Sequence, residues 1–330
     1  MPLLTKAQLL DRVLGAIRSS RWTPLVIRGQ HPFLVRAIGR EESVSLRIYI
    51  WNLTSGGPSA VRPADELRIQ ITGVSPPLVV NDETATVLLG WHEEYGVFAG
   101  YDVSRHRQFG SSPSLQVREG TLRAAAQQGL HAQQRTSQDI VIAFAPDQFM
   151  HYVLRQAELH RFRAAHEVAI LTTAARGEEV PGEELQVVPE PRRPVVRSVQ
   201  QWSRQRSFRT RVLSAYQDQC AVCVVQLDLV EAAHIVPVGH PESNDLTPNG
   251  LCLCPLHHDA YDDGLLVVWP DYHVKANHAR LDELIARGLG SGADDLRALE
   301  CTTIFLPDRE VDRPRPEYLR QGLVVRGWSP

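Results

Sequence analysis

The sequence has no apolar run long enough to cross a bilayer, which takes about 20 consecutive apolar residues. Its first residues also lack the uninterrupted apolar core of a secretion signal, because the charged Asp11 falls inside the segment. That segment has the spacing of an amphipathic helix, with an apolar face formed by Leu9, Leu10, Val13, Leu14 and Ile17. We therefore expect a soluble cytoplasmic protein, neither secreted nor inserted in a membrane.

An excess of positive charge is also missing. Lysine and arginine together number 35 against 38 aspartates and glutamates, so the net charge of −3 does not attract nucleic acid overall. Any surface that binds DNA must therefore be local. The length of 330 residues allows two domains of ordinary size, each with its own core.

Cysteine is scarce and unevenly placed. There are five cysteines, an odd number, and four of them lie between positions 220 and 254. A fold held by disulfides usually carries an even number, whereas a cluster suits metal binding in a reducing compartment. The sequence therefore predicts a metal site in its C-terminal third.

The sequence pattern of residues 1–175 predicts a single domain. Alternating apolar residues at 46–51 and 67–72 indicate two strands, each with one face in solvent, and a loop at 54–58 lies between them. A helix is predicted at 119–128, and glycine and proline separate further strands at 85–89, 97–101, 114–117 and 140–145. We expect an α+β protein whose N-terminal domain is mixed α/β with a mostly antiparallel sheet.

The middle of the chain changes composition. A helix is predicted from residue 146 to about 173. Residues 176–195 are rich in glutamate, glycine and proline and poor in bulky apolar residues, a composition typical of an interdomain linker. The C-terminal domain then occupies 196–330. It opens with a basic helical segment at 196–216, whose candidates for DNA contact are Arg204, Arg206 and Arg209.

Four residues of the C-terminal domain have the spacing of zinc ligands. Cys220 and Cys223 are separated by two residues, and Cys254 and His257 repeat that spacing 31 positions beyond Cys223. Two such pairs can close a tetrahedral structural zinc site. Ordinary buried cysteines are the alternative, which the repeated spacing disfavours. Cys252 competes with Cys254, and we favour Cys254 because only it leaves a two-residue gap before His257.

Candidates for catalysis lie between and beside these pairs. His234 follows an apolar stretch and could be a core histidine, but its place between the two pairs favours a general base, since a neutral imidazole can take a proton from water. Asn249 could hold the loop that carries His234 through its side-chain amide. It also belongs to a strong turn signal at 247–250, and both roles can hold together.

His258 and Asp262 are four residues apart, so a helix that begins at Pro255 places them on one face. An imidazole and a carboxylate can share a Mg²⁺ or Mn²⁺ ion and leave coordination positions for water and phosphate. The alternative is a solvated acidic helix face, which suits Asp259 and Asp263 better than Asp262.

This stretch resembles the HNH nucleases of the ββα-metal class, and among them the McrA-like restriction endonucleases with the pattern AAHIVP…NGL…LCxxHHxxxD. The resemblance covers about 196–328. It implies His234 as the general base and Asn249 as the organising residue. It implies three catalytic residues, His234, Asn249 and His258. The last of them binds a catalytic Mg²⁺ or Mn²⁺ together with Asp262. It also implies a structural zinc held by Cys220, Cys223, Cys254 and His257.

One position departs from that pattern. Many HNH nucleases place Asp or His immediately before the base as a cation ligand, and Ala233 stands there in this sequence. Either His258, Asp262 and waters hold the cation, or Glu231 reaches in as a further ligand.

The N-terminal domain carries a basic cluster that we interpret as a contact for DNA phosphates, formed by Arg105, His106, Arg107 and, further along, Arg118. Just before it lie the aromatic residues Trp91, Tyr95, Phe98 and Tyr101. These aromatics are either core residues, which we favour, or the lining of a pocket for a flipped or modified base. Residues 51–57 are either a recognition loop or a hairpin connection.

A reader domain followed by an HNH domain resembles modification-dependent restriction endonucleases. The order of domains implies a metal-dependent DNA endonuclease acting on double-stranded DNA with modified bases or backbone. A homodimer would let two single-strand sites cut both strands. Two alternatives stay open: a sequence-specific or ligand-activated antiviral HNH nuclease, and a catalytically inactive zinc-stabilised DNA-binding protein.

Overall fold

The computed structural model describes residues 3–55, 63–111, 113–136 and 138–329. The chain forms two compact units, residues 1–203 and 204–330. Each unit has hydrophobic cores of its own. The loop predicted at 54–58 and the recognition loop considered at 51–57 lie partly outside the described residues.

The N-terminal unit is built on strands β1 (Thr23–Arg28), β2 (Phe33–Ile38), β3 (Ser43–Asn52), β4 (Thr54–Ser55), β5 (Glu66–Gln70), β6 (Ala85–His92), β7 (Val97–Tyr101), β8 (Ser114–Arg118), β9 (Leu130–Thr136) and β10 (Asp139–Phe144). Its helices are α1 (Lys6–Ser19), α2 (Glu119–Gln128), α3 (Phe149–Leu159), α4 (Ala165–Ala175) and α5 (Gly182–Val187). Helix α6 (Arg193–Ala215) contains the boundary between the units.

Two sheets organise this unit. The larger has seven strands in the order β1-β2-β3-β6-β7-β10-β9, and the smaller has the order β4-β5-β8. Every neighbouring pair is antiparallel except β3 and β6, which run parallel. The predicted α+β class with a mostly antiparallel sheet is therefore confirmed.

Strand β3 is buried on both faces. Leu46, Ile48 and Ile50 join a core that includes the apolar face of α1. Tyr49 and Trp51 join a second core with residues of β5, β8 and α2. The prediction of one solvated face for 46–51 is wrong, because other elements cover the strand from both sides.

Residues 146–195 also differ from expectation. The helix predicted from 146 to about 173 is interrupted between α3 and α4, where Glu167 accepts hydrogen bonds from the backbone N–H groups of Arg163 and Ala164 at the start of α4. The stretch predicted as a linker, 176–195, contains α5 and the beginning of α6. Its Val188 and Val195 are buried in the N-terminal core, which is why the compact units divide after residue 203 instead.

The C-terminal unit begins with the second half of α6, and an antiparallel strand pair and a helix follow: β11 (Glu231–His234), β12 (Gly250–Leu253) and α7 (Pro255–Asp262). The remaining elements are β13 (Leu266–Val268), β14 (Val274–Ala276), α8 (His278–Ala286), α9 (Ala293–Ala298) and α10 (Pro316–Val325). Strands β11 and β12 pair antiparallel, as do β13 and β14. Within the described part of the chain, no helix is both long and apolar enough to cross a membrane.

Candidate functional site

The hairpin and helix of the C-terminal unit form a ββα frame. In the hairpin, Glu231 pairs with Leu253 and His234 pairs with Gly250, and Cys254 then caps the start of α7. Gly250 lies at a close approach, since a Cβ there would overlap Cγ2 of Val212 and lie 2.9 Å from Cζ of Phe208. Strand β11 carries His234, and α7 carries His257, His258 and Asp262. Asn249 and Cys254 lie at the two ends of β12, whereas Cys220 and Cys223 precede the hairpin.

Cys220, Cys223, Cys254 and His257 lie together. Their ligand atoms are all within 4.8 Å of one another, with Sγ of Cys223 3.9 Å from Sγ of Cys254. Nδ1 of His257 lies 3.5 Å from Sγ of Cys220 and 3.2 Å from Sγ of Cys254. A tetrahedral zinc ion with Zn–S bonds of about 2.3 Å separates its sulfurs by about 3.8 Å, so the spacing fits zinc. Cys252 lies in β12 and is buried in the hydrophobic core.

The electrostatics of the cluster also fit a cation. Burial acts to raise the pKa of the Cys220 thiol, but hydrogen bonds from His257 and from the backbone N–H groups of Cys223 and Cys254 outweigh it and lower that pKa to about 6. Burial raises the pKa of Cys223 to about 12. The four side chains alone therefore favour a single thiolate near neutral pH, and a zinc ion would supply the charge that lets all three sulfurs ionise.

His234 is held on two sides. Its Nε2 lies 3.0 Å from Oδ1 of Asp245. Its ring stacks on Phe208 with 3.8 Å between the centroids and 12° between the planes. A hydrogen bond from Nε2–H to a carboxylate leaves Nδ1 as the proton acceptor, which is the arrangement that a general base needs.

Asn249 is completely buried and connects two backbone segments. Its Oδ1 accepts a hydrogen bond from the N–H of Val236 at 2.9 Å. Its Nδ2 donates to the carbonyl oxygens of Asn244 at 2.8 Å and Val236 at 3.3 Å. Val236 lies two residues after His234 and Asn244 lies directly before Asp245, so this amide fixes the backbone beside both members of the His–Asp pair.

His258 lies between two carboxylates. Its Nδ1 is 3.0 Å from Oε2 of Glu231, and its Nε2 is 3.4 Å from Oδ2 of Asp262. Because consecutive residues of a helix are turned by about 100°, His257 can face the cysteines while His258 faces the two carboxylates. One helical turn thus serves both the cysteine cluster and the candidate cation site.

Arg326, the residue after α10, joins the parts of the site. Its side chain is only 3% exposed and donates to Oδ1 of Asp262 at 3.0 Å. It also donates to the carbonyl oxygens of His234 at 3.3 Å, Ile235 at 2.7 Å and Tyr261 at 2.8 Å. A guanidinium offers five donors in a fixed plane, which is why one side chain can bind the end of β11 and the end of α7 together.

Sequence reasoning missed Asp245, Phe208 and Arg326, and it raised Glu231 only as a possible cation ligand. Phe208 carried a weak signal, as an aromatic residue in the basic helical segment. The other two carried none, because Asp245 lies in an irregular loop and Arg326 is far from His234 in sequence. Tertiary packing alone brings them to the site.

The predicted DNA contacts of the C-terminal domain lie on the part of α6 that belongs to this unit. Arg204 and Arg209 are exposed and Arg206 is half-buried. Arg209 donates a hydrogen bond to the carbonyl oxygen of Val230, directly before β11, at 3.3 Å. These residues stay candidates for phosphate contact.

In the N-terminal unit the predicted basic cluster is largely engaged within the protein. His106 lies 3.0 Å from the buried Asp139, Arg107 donates to the carbonyl oxygen of Leu78, and Arg118 pairs with Asp65. Arg105 is exposed. Of the aromatics considered for a base pocket, three are buried in hydrophobic cores, namely Trp91, Phe98 and Tyr101. Tyr95 is half-buried and donates a hydrogen bond to Glu119.

Two family models match parts of this chain. Residues 220–268 match a family described as HNH endonuclease, and residues 44–153 match a family described as methylase-associated X1. No curated protein matches the chain. Among solved structures, it is similar to one titled modification dependent TagI restriction endonuclease, with 14% sequence identity, a TM-score of 0.31 and coverage of 84% of this chain and 80% of the other. The two family matches fall in different compact units.

Proposed function

We propose that this chain is a metal-dependent restriction endonuclease directed to modified DNA by its N-terminal unit. The premise is that the C-terminal unit is an HNH endonuclease domain and the protein a DNA-cleaving hydrolase. The observation that carries the proposal is the ββα frame, in which His234 is paired with Asp245 and His258 lies beside Asp262. Arg326 donates hydrogen bonds both to the carbonyl oxygen of His234 and to the carboxylate of Asp262.

The chemistry requires a base and a charged group at the phosphate. His234 takes a proton from water at Nδ1, while Asp245 stabilises the imidazolium that results and Phe208 restricts rotation of the ring. A divalent cation such as Mg²⁺ or Mn²⁺, when bound, supplies positive charge to the scissile phosphate and the leaving oxygen. His258 through Nε2 and Asp262 through Oδ2 would hold it.

The cysteine cluster has a structural role in this proposal. Cys220, Cys223, Cys254 and His257 use all four positions of a tetrahedral zinc ion, so no position is left for water or substrate. Zinc there ties the 220–223 segment to the start of α7. The free energy of binding it is therefore part of the folding free energy of the C-terminal unit.

Selection of modified DNA is assigned to the N-terminal unit. A phosphodiesterase site contacts mostly backbone phosphates, which are the same in every sequence, so discrimination needs a second surface. The description of the family matched by 44–153 as methylase-associated supports a link to DNA methylation. Because a single HNH site cuts one strand, cutting of both strands would take a homodimer or two successive events.

The test is a plasmid assay with the zinc-loaded full chain. Otherwise identical supercoiled plasmids, either unmodified or methylated by different DNA methylases, are incubated with Mg²⁺ or Mn²⁺, and the nicked and linear products are quantified. We expect faster cutting of at least one modified plasmid. Equal cutting of all plasmids would refute modification dependence and favour a sequence-specific or ligand-activated nuclease. Binding without cutting under any cation would favour the DNA-binding protein.

A substitution assigns the chemistry to the site. His234→Ala should abolish cutting and leave DNA affinity and zinc content unchanged, because the imidazole acts on water. His278→Ala is the matched control, since His278 lies in α8 and contacts Glu300. A His234→Ala protein that cuts at the normal rate would remove His234 from the role of base.

A further inference from the structure

Glu231 occupies a position at the site that the proposed function does not use. Its Oε2 is 3.0 Å from Nδ1 of His258, and the two side chains are 22% and 21% exposed. At this distance and degree of burial the contact is a hydrogen bond between a carboxylate and an imidazole. Glu231 thus binds the ring nitrogen that does not face Asp262.

The hydrogen bond has a chemical consequence for the ring. A carboxylate accepts hydrogen bonds and cannot donate them, so its partner Nδ1 must carry the proton. In a neutral imidazole, Nε2 then keeps its lone pair. The Nε2 atom lies 3.4 Å from Oδ2 of Asp262, a separation at which both atoms could bind one divalent cation.

The position of His234 identifies which nitrogen of the His258 ring faces the cation site. Arg326 bonds to Asp262 and to the carbonyl oxygen of His234, so the Asp262 side adjoins the end of β11 that carries the base. Glu231 lies three residues earlier in β11, about 10 Å along the strand, and its side chain leaves the opposite face from that of His234.

The same geometry excludes Glu231 as a ligand to that cation. The lone-pair directions of the two ring nitrogens diverge, so an ion on Nε2 is out of reach of a carboxylate hydrogen-bonded to Nδ1–H. Ala233 shares the Glu231 face of β11 and offers only a methyl group. Glu231 therefore acts on the ion only through His258.

We propose that Glu231 is a positioning residue, which holds His258 in the Nδ1–H tautomer so that Nε2 and Asp262 bind one divalent cation. The inference rests on the proposed function for the identity of the cation site. The role assigned to Glu231 concerns only the tautomer and the orientation of the His258 ring. Hydrogen bonds of this kind commonly change metal affinity by about 10- to 100-fold.

The first experiment measures the tautomer without any catalytic cation. The zinc-loaded full chain, labelled with ¹⁵N at histidine, is studied by NMR at mildly alkaline pH, and His258→Asn identifies the signals of His258. We expect a protonated Nδ1 and an unprotonated Nε2 in the wild type. Glu231→Ala should move His258 toward the Nε2–H form that free imidazole prefers. A wild-type ring with Nε2–H, or a spectrum unchanged in Glu231→Ala, would overturn the proposal.

The second experiment measures Mn²⁺ affinity by calorimetry and electron paramagnetic resonance. Glu231→Ala should weaken Mn²⁺ binding about 10- to 100-fold. Glu231→Gln should bind within a few-fold of the wild type, because its amide oxygen still accepts the bond from Nδ1–H. Glu283→Ala in α8 is the matched control. Equal losses in the Ala and Gln variants, or no loss in either, would contradict a positioning role.

Zinc content and melting temperature establish that each variant is folded, and Glu231→Gln supplies a second folded variant if Glu231→Ala is unstable. The measurements distinguish failure of the proposed function from failure of the role of Glu231. A wild-type chain that binds Mn²⁺ and shows the tautomer switch but cuts no DNA refutes the proposed function alone. A chain that cuts DNA but shows neither the tautomer nor the loss of affinity refutes only the role of Glu231.

Discussion

Replacing Asn249 by Ala tests whether one buried amide sets the geometry of the His234–Asp245 pair. The substitution removes three hydrogen bonds, one from the N–H of Val236 and two to the carbonyl oxygens of Asn244 and Val236. Ala provides neither donor nor acceptor, so the backbone beside both members of the pair loses its connection.

The magnitude follows from which groups are left without a partner. The carbonyl oxygen of Val236 still accepts a hydrogen bond from the hydroxyl of Ser243 at 2.8 Å, so the loss of its bond to Asn249 costs little. The N–H of the buried Val236 and the carbonyl oxygen of the half-buried Asn244 each lose the hydrogen bond to the Asn249 side chain, at about 1–3 kcal/mol per unsatisfied group, with the Asn244 carbonyl at the lower end of that range. Two groups at that cost give a total of about 2–6 kcal/mol, which corresponds to a local opening equilibrium at least ~30-fold more favourable.

The assay is hydrogen exchange with mass spectrometry, read together with the cutting rate. The variant should lose protection in peptides that contain 234–249, cut DNA at least tenfold more slowly and keep its zinc. Asn277→Ala is the matched control: Asn277 caps α8 by accepting from the N–H of Arg280 at 3.1 Å, and its loss costs about 1 kcal/mol away from the site. Asn249→Ala with normal protection and a normal cutting rate would refute the reasoning.

Three further substitutions test the rest of the site. Cys220→Ala should reduce bound zinc from one ion per chain to none, measured by metal analysis, and lower the unfolding temperature of the C-terminal unit; retained zinc would exclude this cluster as its site. Gly250→Ala should cost about 1–3 kcal/mol and slow cutting, because its methyl group meets Val212 and Phe208, whereas Gly239→Ala has no atom within 4 Å to meet and should be neutral in both assays. Arg326→Lys should lower kcat at least tenfold while zinc content stays constant, because an ammonium cannot bond three carbonyl oxygens and a carboxylate at once; unchanged kcat would show that the guanidinium does not order the site.

Several features were readable from the sequence because they depend on local spacing. The turn signal before Gly250, the start of α7 at Pro255 and the two-residue gaps of the ligand pairs are all short-range, so the candidate zinc ligands could be named from their spacing. The ββα frame was expected only from the resemblance to HNH nucleases, and its strands β11 and β12 were not predicted from local patterns. Strands such as β6, β7 and β8 and the helix α2 were also predicted within a few residues, since alternation and glycine punctuation are local.

Other features failed because burial is not local. Residues 176–195 have the composition of a linker, yet Val188 and Val195 fill a core built by distant strands. The alternation of β3 predicted one wet face, but the smaller sheet and α2 cover the side that alternation assigned to water. Strands β1, β2 and β9 were missed altogether, and β1 is largely exposed at the edge of the large sheet, where the burial that drives hydrophobic alternation is weak.

The amino-acid sequence by itself determined the side chains available to this protein: two pairs that make up a Cys₃His set, the proposed base His234 and a His–Asp pair at helical spacing. Each pair could be recognised because it depends on residue types a few positions apart. Only the tertiary structure decided how that chemistry is held. The partners of each imidazole, Asp245 for His234 and Glu231 for His258, and the guanidinium of Arg326 that joins the two, come from segments between 11 and 92 residues away. Contacts over such separations are fixed by packing of the whole unit, and no local pattern encodes them.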